Sequence, residues 1–354
     1  MKTTMRAMRL HDVGNGQTEL RLDQDVPVPT PGTGEVLLAV RACGLNQVDL
    51  LTRDGQTPQT PPMPHISGTE VAGDVVEVGP GVTGWAVGDR VVLDPILSCG
   101  ECVSCLRGAT NMCARGRVFG VQTPGGYAER VVAPARQLLR LPASLSYAQA
   151  AAAAVTGPTA WHMLRRRADI RIGEDVLIIA AGSGIGVIGM QIAALAGARV
   201  IATAGSDDKV RQALETGAHF AVNHRDPTWP DQVRKWTGGR GVDVVFEHVG
   251  KATWEGSLRA LARGGRLVTC GGHSGFQVDI NLWHLFVKEH TLIGSFAGAR
   301  QDFLDVMRLV EQGKIRPVVQ ETFALEDVAK AQAMLDARQV FGKLLLDPTR
   351  VASA

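Results

Sequence analysis

The 354-residue chain has no excess of charge of either sign. Its 37 Lys and Arg face 35 Asp and Glu, for a formal net charge of +2. That balance excludes the basic field needed to hold nucleic acid or an anionic membrane surface. Met1 to Gly14 carries scattered charges and no apolar core, which reads against a secretory signal. Cysteine is sparse: four of the six lie between Cys99 and Cys113, and Cys43 and Cys270 stand far apart. This is not the spread of a disulfide framework, so a reducing, cytoplasmic setting is expected. There is no internal repeat, and no low-complexity tract beyond Ala150 to Ala154.

One uncharged run, Val176 to Ala198, is long enough to span a bilayer. Gly182, Gly184, Gly186, Gly189 and Gly197 interrupt it, and charges abut both ends. It therefore reads as a strand, a glycine turn and a helix, not a membrane span. Glycine is the abundant residue, with 41 copies, and implies many tight turns and close backbone approaches.

The length suggests two domains of an α/β protein. The first 150 residues show short strand patterns, such as Glu35 to Ala42, Val71 to Val78 and Arg90 to Asp94. Pro27, Pro29, Pro31 and the Gly79-Pro80-Gly81 turn punctuate them and disfavour helices. An irregular β-barrel is predicted there. From about Ala151 the pattern alternates. Strands are expected at 176–180, 199–203, 220–222, 242–247, 266–270 and 291–295, with helices at 207–216, 231–236, 253–263 and 281–289 between them. That succession predicts a doubly wound parallel sheet. Two more helical stretches and a last strand, Lys343 to Leu346, follow Ala299.

The first strand of the second half runs into Ala181-Gly182-Ser183-Gly184-Ile185-Gly186 and then a helix. Such a turn lets a pyrophosphate approach the backbone at a helix N-terminus, so a bound dinucleotide is expected. Gly184, Gly186 and Gly189 fit the G-x-G-x-x-G spacing literally. A turn placed directly after the strand puts the three positions at Ala181, Ser183 and Gly186 instead. The next strand ends in Ala204-Gly205-Ser206, with no acid at its tip to bind a ribose 2′-hydroxyl. Ser206, Lys209 and Arg225 offer donors to a 2′-phosphate, which favours NADPH over NADH. Ser206 followed by Asp207 and Asp208 is also an ordinary helix start.

Cys99, Cys102, Cys105 and Cys113 give C-x-x-C-x-x-C-x7-C. Four thiolates complete a tetrahedral shell for zinc and leave no position for substrate, so one structural zinc is predicted. An iron–sulfur cluster is the main alternative for this spacing.

Several stretches together carry a family resemblance. They are Cys43-Gly-Leu-Asn-Gln-Val-Asp49, Gly68-Thr-Glu-Val-Ala-Gly-Asp-Val-Val-Glu-Val-Gly-Pro-Gly81, Val87-Gly-Asp-Arg-Val91, Gly126-Tyr-Ala-Glu129, Thr159-Ala-Trp161 and Phe341-Gly-Lys343. With the cysteine lobe and the nucleotide turn, the chain resembles the medium-chain dehydrogenase/reductase superfamily over essentially its whole length. The resemblance implies a GroES-like β-barrel catalytic domain over 1–156, completed by 299–354. It implies a Rossmann domain over 157–298 and chemistry in the cleft between the two. A homodimer paired through the strand at 291–295, or a homotetramer, is the implied assembly.

The zinc alcohol dehydrogenases of that family bind a catalytic zinc through a Cys, the His of Gly-His-Glu and a later Cys. Matched to this chain, those positions read Cys43, Thr69 within Gly68-Thr69-Glu70, and Val155, with Leu45 at the proton-relay position. Threonine and valine do not replace imidazole and thiolate. His65, Glu70 or Asp49 would have to rebuild the site with Cys43. The sequence therefore looks closer to the quinone oxidoreductase-like branch, in which NADPH gives hydride to a quinone, enone or related conjugated carbonyl. Matched positions imply Asn46 as a hydrogen-bond donor and Thr159 beside the nicotinamide, with Ile185 behind it. Two other readings are a zinc alcohol dehydrogenase with displaced ligands and a non-catalytic NADPH-binding regulatory protein. Gly272-His273-Ser274-Gly275-Phe276 mimics a nucleophile elbow but lacks the final glycine, and Arg165-Arg166-Arg167 reads as a solvated helix end.

Overall fold

The computed structural model describes residues 3–13 and 19–351. Residues 1, 2 and 14 of the N-terminal stretch lie outside the described residues. The chain divides into two compact units: Met1–Val155 with Ala299–Glu311 and Val318–Ala354, and Thr156–Gly298 with Gln312–Pro317.

The first unit is built on a seven-stranded sheet and a separate hairpin of Thr4–Asp12 with Glu19–Pro27. Glu35–Gly44 is its central strand. It pairs antiparallel with Glu70–Val78, Arg130–Pro134 and, at its end, Lys343–Leu346. The tail thus completes the sheet that the N-terminal segment begins. Val36, Leu38, Val40, Val71, Val75, Val91 and Leu93 form the buried core. Their β-branched and aliphatic side chains suit a pleated, covered surface. Gly73 is needed where it stands, since a Cβ there would lie 2.0 Å from the Ala39 carbonyl oxygen.

Features of this unit that differ from the sequence reading include a helix and a strand. A helix, Gln47–Arg53, starts at Asn46, whose backbone N–H donates to Asp49 Oδ2 at 2.7 Å. That local cap outweighs the turn-rich surroundings. The strand Val319–Phe323 was not expected at all. Only Phe323 of its five residues is buried; the strand lies at the edge of the sheet and pairs parallel with Lys343–Leu346.

The second unit carries six parallel strands in the order 220–223, 199–204, 175–178, 242–247, 261–269 and 291–294. By sequence rank this is 3-2-1-4-5-6, the doubly wound order whose switch point lies between the first and fourth strands. The helix expected to reach Arg263 ends at Ala260, because Leu261 and Leu267 are buried in the strand Leu261–Thr269. The uncharged run is split between the strand Asp175–Ile178 and the helix Gly184–Leu195. Among the described residues, no helix is long and apolar enough to cross a membrane.

Candidate functional site

The second unit supplies a nucleotide turn. Its first strand leads to Ala180 at φ 49°, and Ser183 caps the helix Gly184–Leu195. Ser183 Oγ donates to the Ala180 carbonyl at 2.9 Å and accepts from the Gly186 N–H at 3.0 Å. A Cβ on Gly186 would meet the Ala180 carbonyl oxygen at 2.7 Å and Ala181 Cα at 2.8 Å. Glycine is therefore required for the helix to start so close to the strand. The first-turn N–H groups of such a helix lack intrahelical acceptors and face an anion favourably. Gly182, Gly184 and Ile185 belong to this same turn and first helical residues.

Across the switch point stands His248, which the sequence reading did not single out. Its Nε2 lies 2.9 Å from the Ile179 carbonyl and 3.3 Å from Ser183 Oγ. Burial pulls its pKa down to about 4, so the ring is neutral at pH 7. Ala204, Gly205 and Ser206 end the second strand. Ser206 caps the helix Asp207–Glu215 through a 3.4 Å bond from the Lys209 N–H. Parallel pairing of Ala204 with Asn223 brings the exposed Arg225 to the same end of the sheet. His224 lies beside them, 3.1 Å from Thr203 Oγ1. Thr159 is buried in the helix Thr156–Trp161.

The four clustered cysteines are all reduced in the first unit, and their sulfurs lie within 4.8 Å of one another. Cys99 and Cys105, and Cys102 and Cys113, are each 3.9 Å apart. Tetrahedral Zn–S bonds of about 2.3 Å imply sulfurs roughly 3.8 Å apart, so the quartet has the spacing to hold a single ion. Backbone N–H groups already point at the sulfurs, from Cys99 to Cys113 at 3.3 Å and from Cys102 to Cys99 at 3.4 Å. Such donors lower the Cys99 pKa to about 5 and favour the thiolate that binds metal. The cluster fits a structural zinc.

The most informative part of the first unit is a buried polar group that sequence reasoning only partly found. Cys43 lies fully buried in the barrel core, against Gly68, Val71, Gly126 and Tyr127. Burial pushes its thiol pKa well up. Asn46, three residues on, reaches Thr69 instead, with Nδ2 donating to Oγ1 at 3.0 Å. Glu70 is fully buried; its Oε1 accepts from the Val155 N–H at 2.9 Å, and its Oε2 lies 2.7 Å from Lys343 Nζ. Gly44 makes the room, since a Cβ there would fall 2.0 Å from Glu70 Oε2. Lys343 Nζ also donates to Asn46 Oδ1 at 2.8 Å and to the Leu45 carbonyl. Asp49 accepts from Tyr127 OH at 2.9 Å, and burial raises its pKa to about 6. His65 is spent on the Gly120 carbonyl at 3.1 Å. Cys43, His65, Asp49 and Glu70 thus do not gather as a ligand set. Among the described residues, the cysteine quartet is the one group of three or more His, Cys, Asp or Glu able to hold a metal ion.

Sequence reasoning treated Thr69 only as a missing ligand and Lys343 only as the end of a motif. For Lys343 and its partner Glu70 a signal existed. A lysine opens the apolar strand Lys-Leu-Leu-Leu, and a glutamate opens Glu-Val-Ala-Gly, and charges in covered strands must pair. The nucleophile lookalike dissolves as expected, because Ser274 Oγ is committed to the Val249 carbonyl at 2.6 Å and the Ala252 N–H at 3.0 Å.

A GroES-like sheet, a doubly wound nucleotide domain and a closed thiolate lobe define an oxidoreductase that works with a nicotinamide dinucleotide. Residues 32–143 match the alcohol dehydrogenase GroES-like domain, and residues 184–312 match the zinc-binding dehydrogenase domain. The chain belongs to the medium-chain dehydrogenase/reductase superfamily. It is 35% identical to an NAD-dependent alcohol dehydrogenase of Sulfolobus acidocaldarius, over 98% of this chain and all of that one. It is 30% identical to the human quinone oxidoreductase over 97% of each. A crystal structure of an NAD-dependent alcohol dehydrogenase superposes with a TM-score of 0.92 at 42% identity, covering 97% of this chain and 99% of the other.

Proposed function

We propose that the protein transfers hydride between NADPH and a quinone, enone or related conjugated carbonyl without a catalytic metal. The observation that carries this reading is the hydrogen bond between Asn46 and Thr69, with Glu70 tied to Lys343 and Cys43 sealed in the core. An amide and a hydroxyl are donors, suited to an oxygen that gains negative charge. They are not a Lewis-acid ligand set. Similarity to quinone oxidoreductases is consistent with this acceptor class.

Bound NADPH would supply the hydride. The Ser183-capped helix start would hold its pyrophosphate. Ser206 and Arg225, with Lys209 one turn along, would hold the 2′-phosphate. Zinc in the cysteine lobe would tie residues 99–113 together and take no part in the chemistry. Thr159, by its family position, would lie beside the nicotinamide. All six cysteines are unpaired, which suits a reducing cytoplasm. A homodimer is the proposed assembly, because the strand Thr291–Gly294 leaves one sheet edge unpaired among the described residues. Leu282, Trp283, Phe286 and Phe296 nearby in sequence are more than half exposed.

The test is metal content together with turnover. One zinc per chain, and chelator-resistant reduction of enones or quinones with NADPH preferred to NADH, supports the proposal. Two zincs per chain with chelator-sensitive alcohol oxidation overturns it in favour of a zinc alcohol dehydrogenase.

A further inference from the structure

We infer that the first unit carries a binding site for an amphipathic monocarboxylate, a medium-chain fatty acid in chemical class, in a cavity lined by none of the polar cluster described above. The site lies wholly within that unit and does not depend on the reaction proposed for the protein.

The cavity has a volume of about 390 Å³, within the range of roughly 300–1,000 Å³ that small-molecule sites occupy. Three pieces of chain wall it: the hairpin at Met5 and Val26, the strand Arg130–Pro134, and the short ribbon in which Leu97 pairs with Arg117. Met5 and Val26 belong to a small apolar cluster with Ala7 and Ala128, whereas Leu97 and Phe119 belong to the main core. Ile66 packs against both clusters, and the cavity opens beside it. Protein interiors are normally packed to the density of organic crystals, so a gap of this size between two apolar clusters is room for an apolar guest.

Charge narrows the choice of guest. Arg117 and Arg130 both line the cavity, and neither makes an ion pair or a side-chain hydrogen bond among the described residues. By contrast, Arg6, Arg9, Arg41 and Arg140 of the same unit each meet a carboxylate. An unspent guanidinium beside an apolar wall presents a planar fork of donors that matches a carboxylate. The one acid among the lining residues is Glu35, whose Oε2 accepts from the Gly32 N–H at 3.0 Å. Antiparallel pairing sets Glu35 opposite Pro134 and Arg130 opposite Ala39, so the acid and Arg130 share a sheet face four residues apart, a span of about 13 Å. The guest's carboxylate therefore binds at the Arg130 end, and its chain runs toward Glu35, which repels a second carboxylate.

A peptide is the poorer guest. Arg130–Pro134 pairs with a strand on one side only, and a free edge of that kind attracts an added strand. Pro27, Pro29, Pro124 and Pro134 line the cavity, however, and lack the N–H groups that a continuous ladder needs.

The experiment titrates the zinc-loaded protein, with NADPH present, against decanoate, decan-1-ol and decanedioate by isothermal calorimetry. Decanoate should saturate one site per chain with a Kd below about 1 mM. Decan-1-ol and decanedioate should each bind about tenfold or more weakly, since the first lacks the charge and the second meets Glu35. Arg130→Met should weaken decanoate about tenfold or more and leave decan-1-ol unchanged. Glu35→Gln keeps an oxygen for the Gly32 N–H and should bring decanedioate to within about threefold of decanoate. Decanoate that does not saturate, binds no tighter than decan-1-ol, or binds Arg130→Met as well as wild type overturns the inference. If Arg130→Met does not fold, Glu35→Gln decides: admission of decanedioate supports the site, and unchanged rejection overturns it.

Discussion

Replacing Lys343 by methionine would leave the Glu70 carboxylate fully buried with its cation gone, while Oε1 still accepts from the Val155 N–H. Removing one partner of a buried ion pair costs about 3–5 kcal/mol, since the remaining charge stays desolvated. For a unit of roughly 150–250 residues, each kcal/mol moves Tm by about 2–4 °C, so Lys343→Met should melt roughly 6–20 °C lower. Glu70→Gln keeps an acceptor for Val155 and leaves Lys343 two oxygens, so its loss should be smaller. The double variant removes both charges and should recover more than half of the Lys343→Met loss. Calorimetry or circular dichroism on the four proteins measures this cycle. The reasoning is refuted if Lys343→Met shifts Tm by less than about 2 °C, or if the double variant shows the sum of the two single losses.

Three further outcomes are expected. Gly186→Val forces a side chain into space bounded at 2.7 Å by the Ala180 carbonyl and at 2.8 Å by Ala181 Cα. Overpacking of about 1–3 kcal/mol should weaken NADPH binding about tenfold or more, read by cofactor fluorescence, while zinc content stays at one. Cys105→Ser should drop zinc to well below one per chain and expose residues 99–113 to limited proteolysis, with enone turnover lost more slowly than zinc. Asp49 has a folded pKa raised by burial to about 6, with Lys343 and Glu70 among the charges near it. A raised acid pKa means that the folded state holds its proton longer than the unfolded state. Its contribution is therefore neutral below about pH 4 and becomes destabilising as pH rises to 6. Asp49→Asn should remove that downward slope in a series of urea midpoints taken between pH 4 and 7, and an unchanged slope would refute the assignment.

Much of this protein was legible before any coordinates. The alternation of apolar strands and helices after Ala151 reflects a sheet covered on both faces, a local pattern that periodicity reports directly. The cysteine spacing is similarly local, because one short lobe carries all four sulfurs. Ser183 and Gly186 were legible because a strand, a turn and a helix N-terminus follow one another in the chain. The strand Val319–Phe323 was not legible. Its half-exposed residues look like a loop until Lys343–Leu346 offers an edge to pair with.

The polar cluster shows the same boundary within one site. The family resemblance implied that Thr69 and Val155 stand where a catalytic zinc would take imidazole and thiolate, so the deficit was readable once those positions were matched. It did not establish which side chains meet. Cys43, next to last in the central strand, is buried in the core, whereas Asn46, past Gly44 and Leu45, caps the next helix and turns toward Thr69. Lys343 lies 273 positions beyond Glu70 in the chain, yet sits 2.7 Å from it because the last strand pairs beside the first unit's central one. Local chemistry, set by residue type and short spacing, is the sequence's own. Contacts between residues that are distant in the chain exist only once hydrophobic burial closes the sheet.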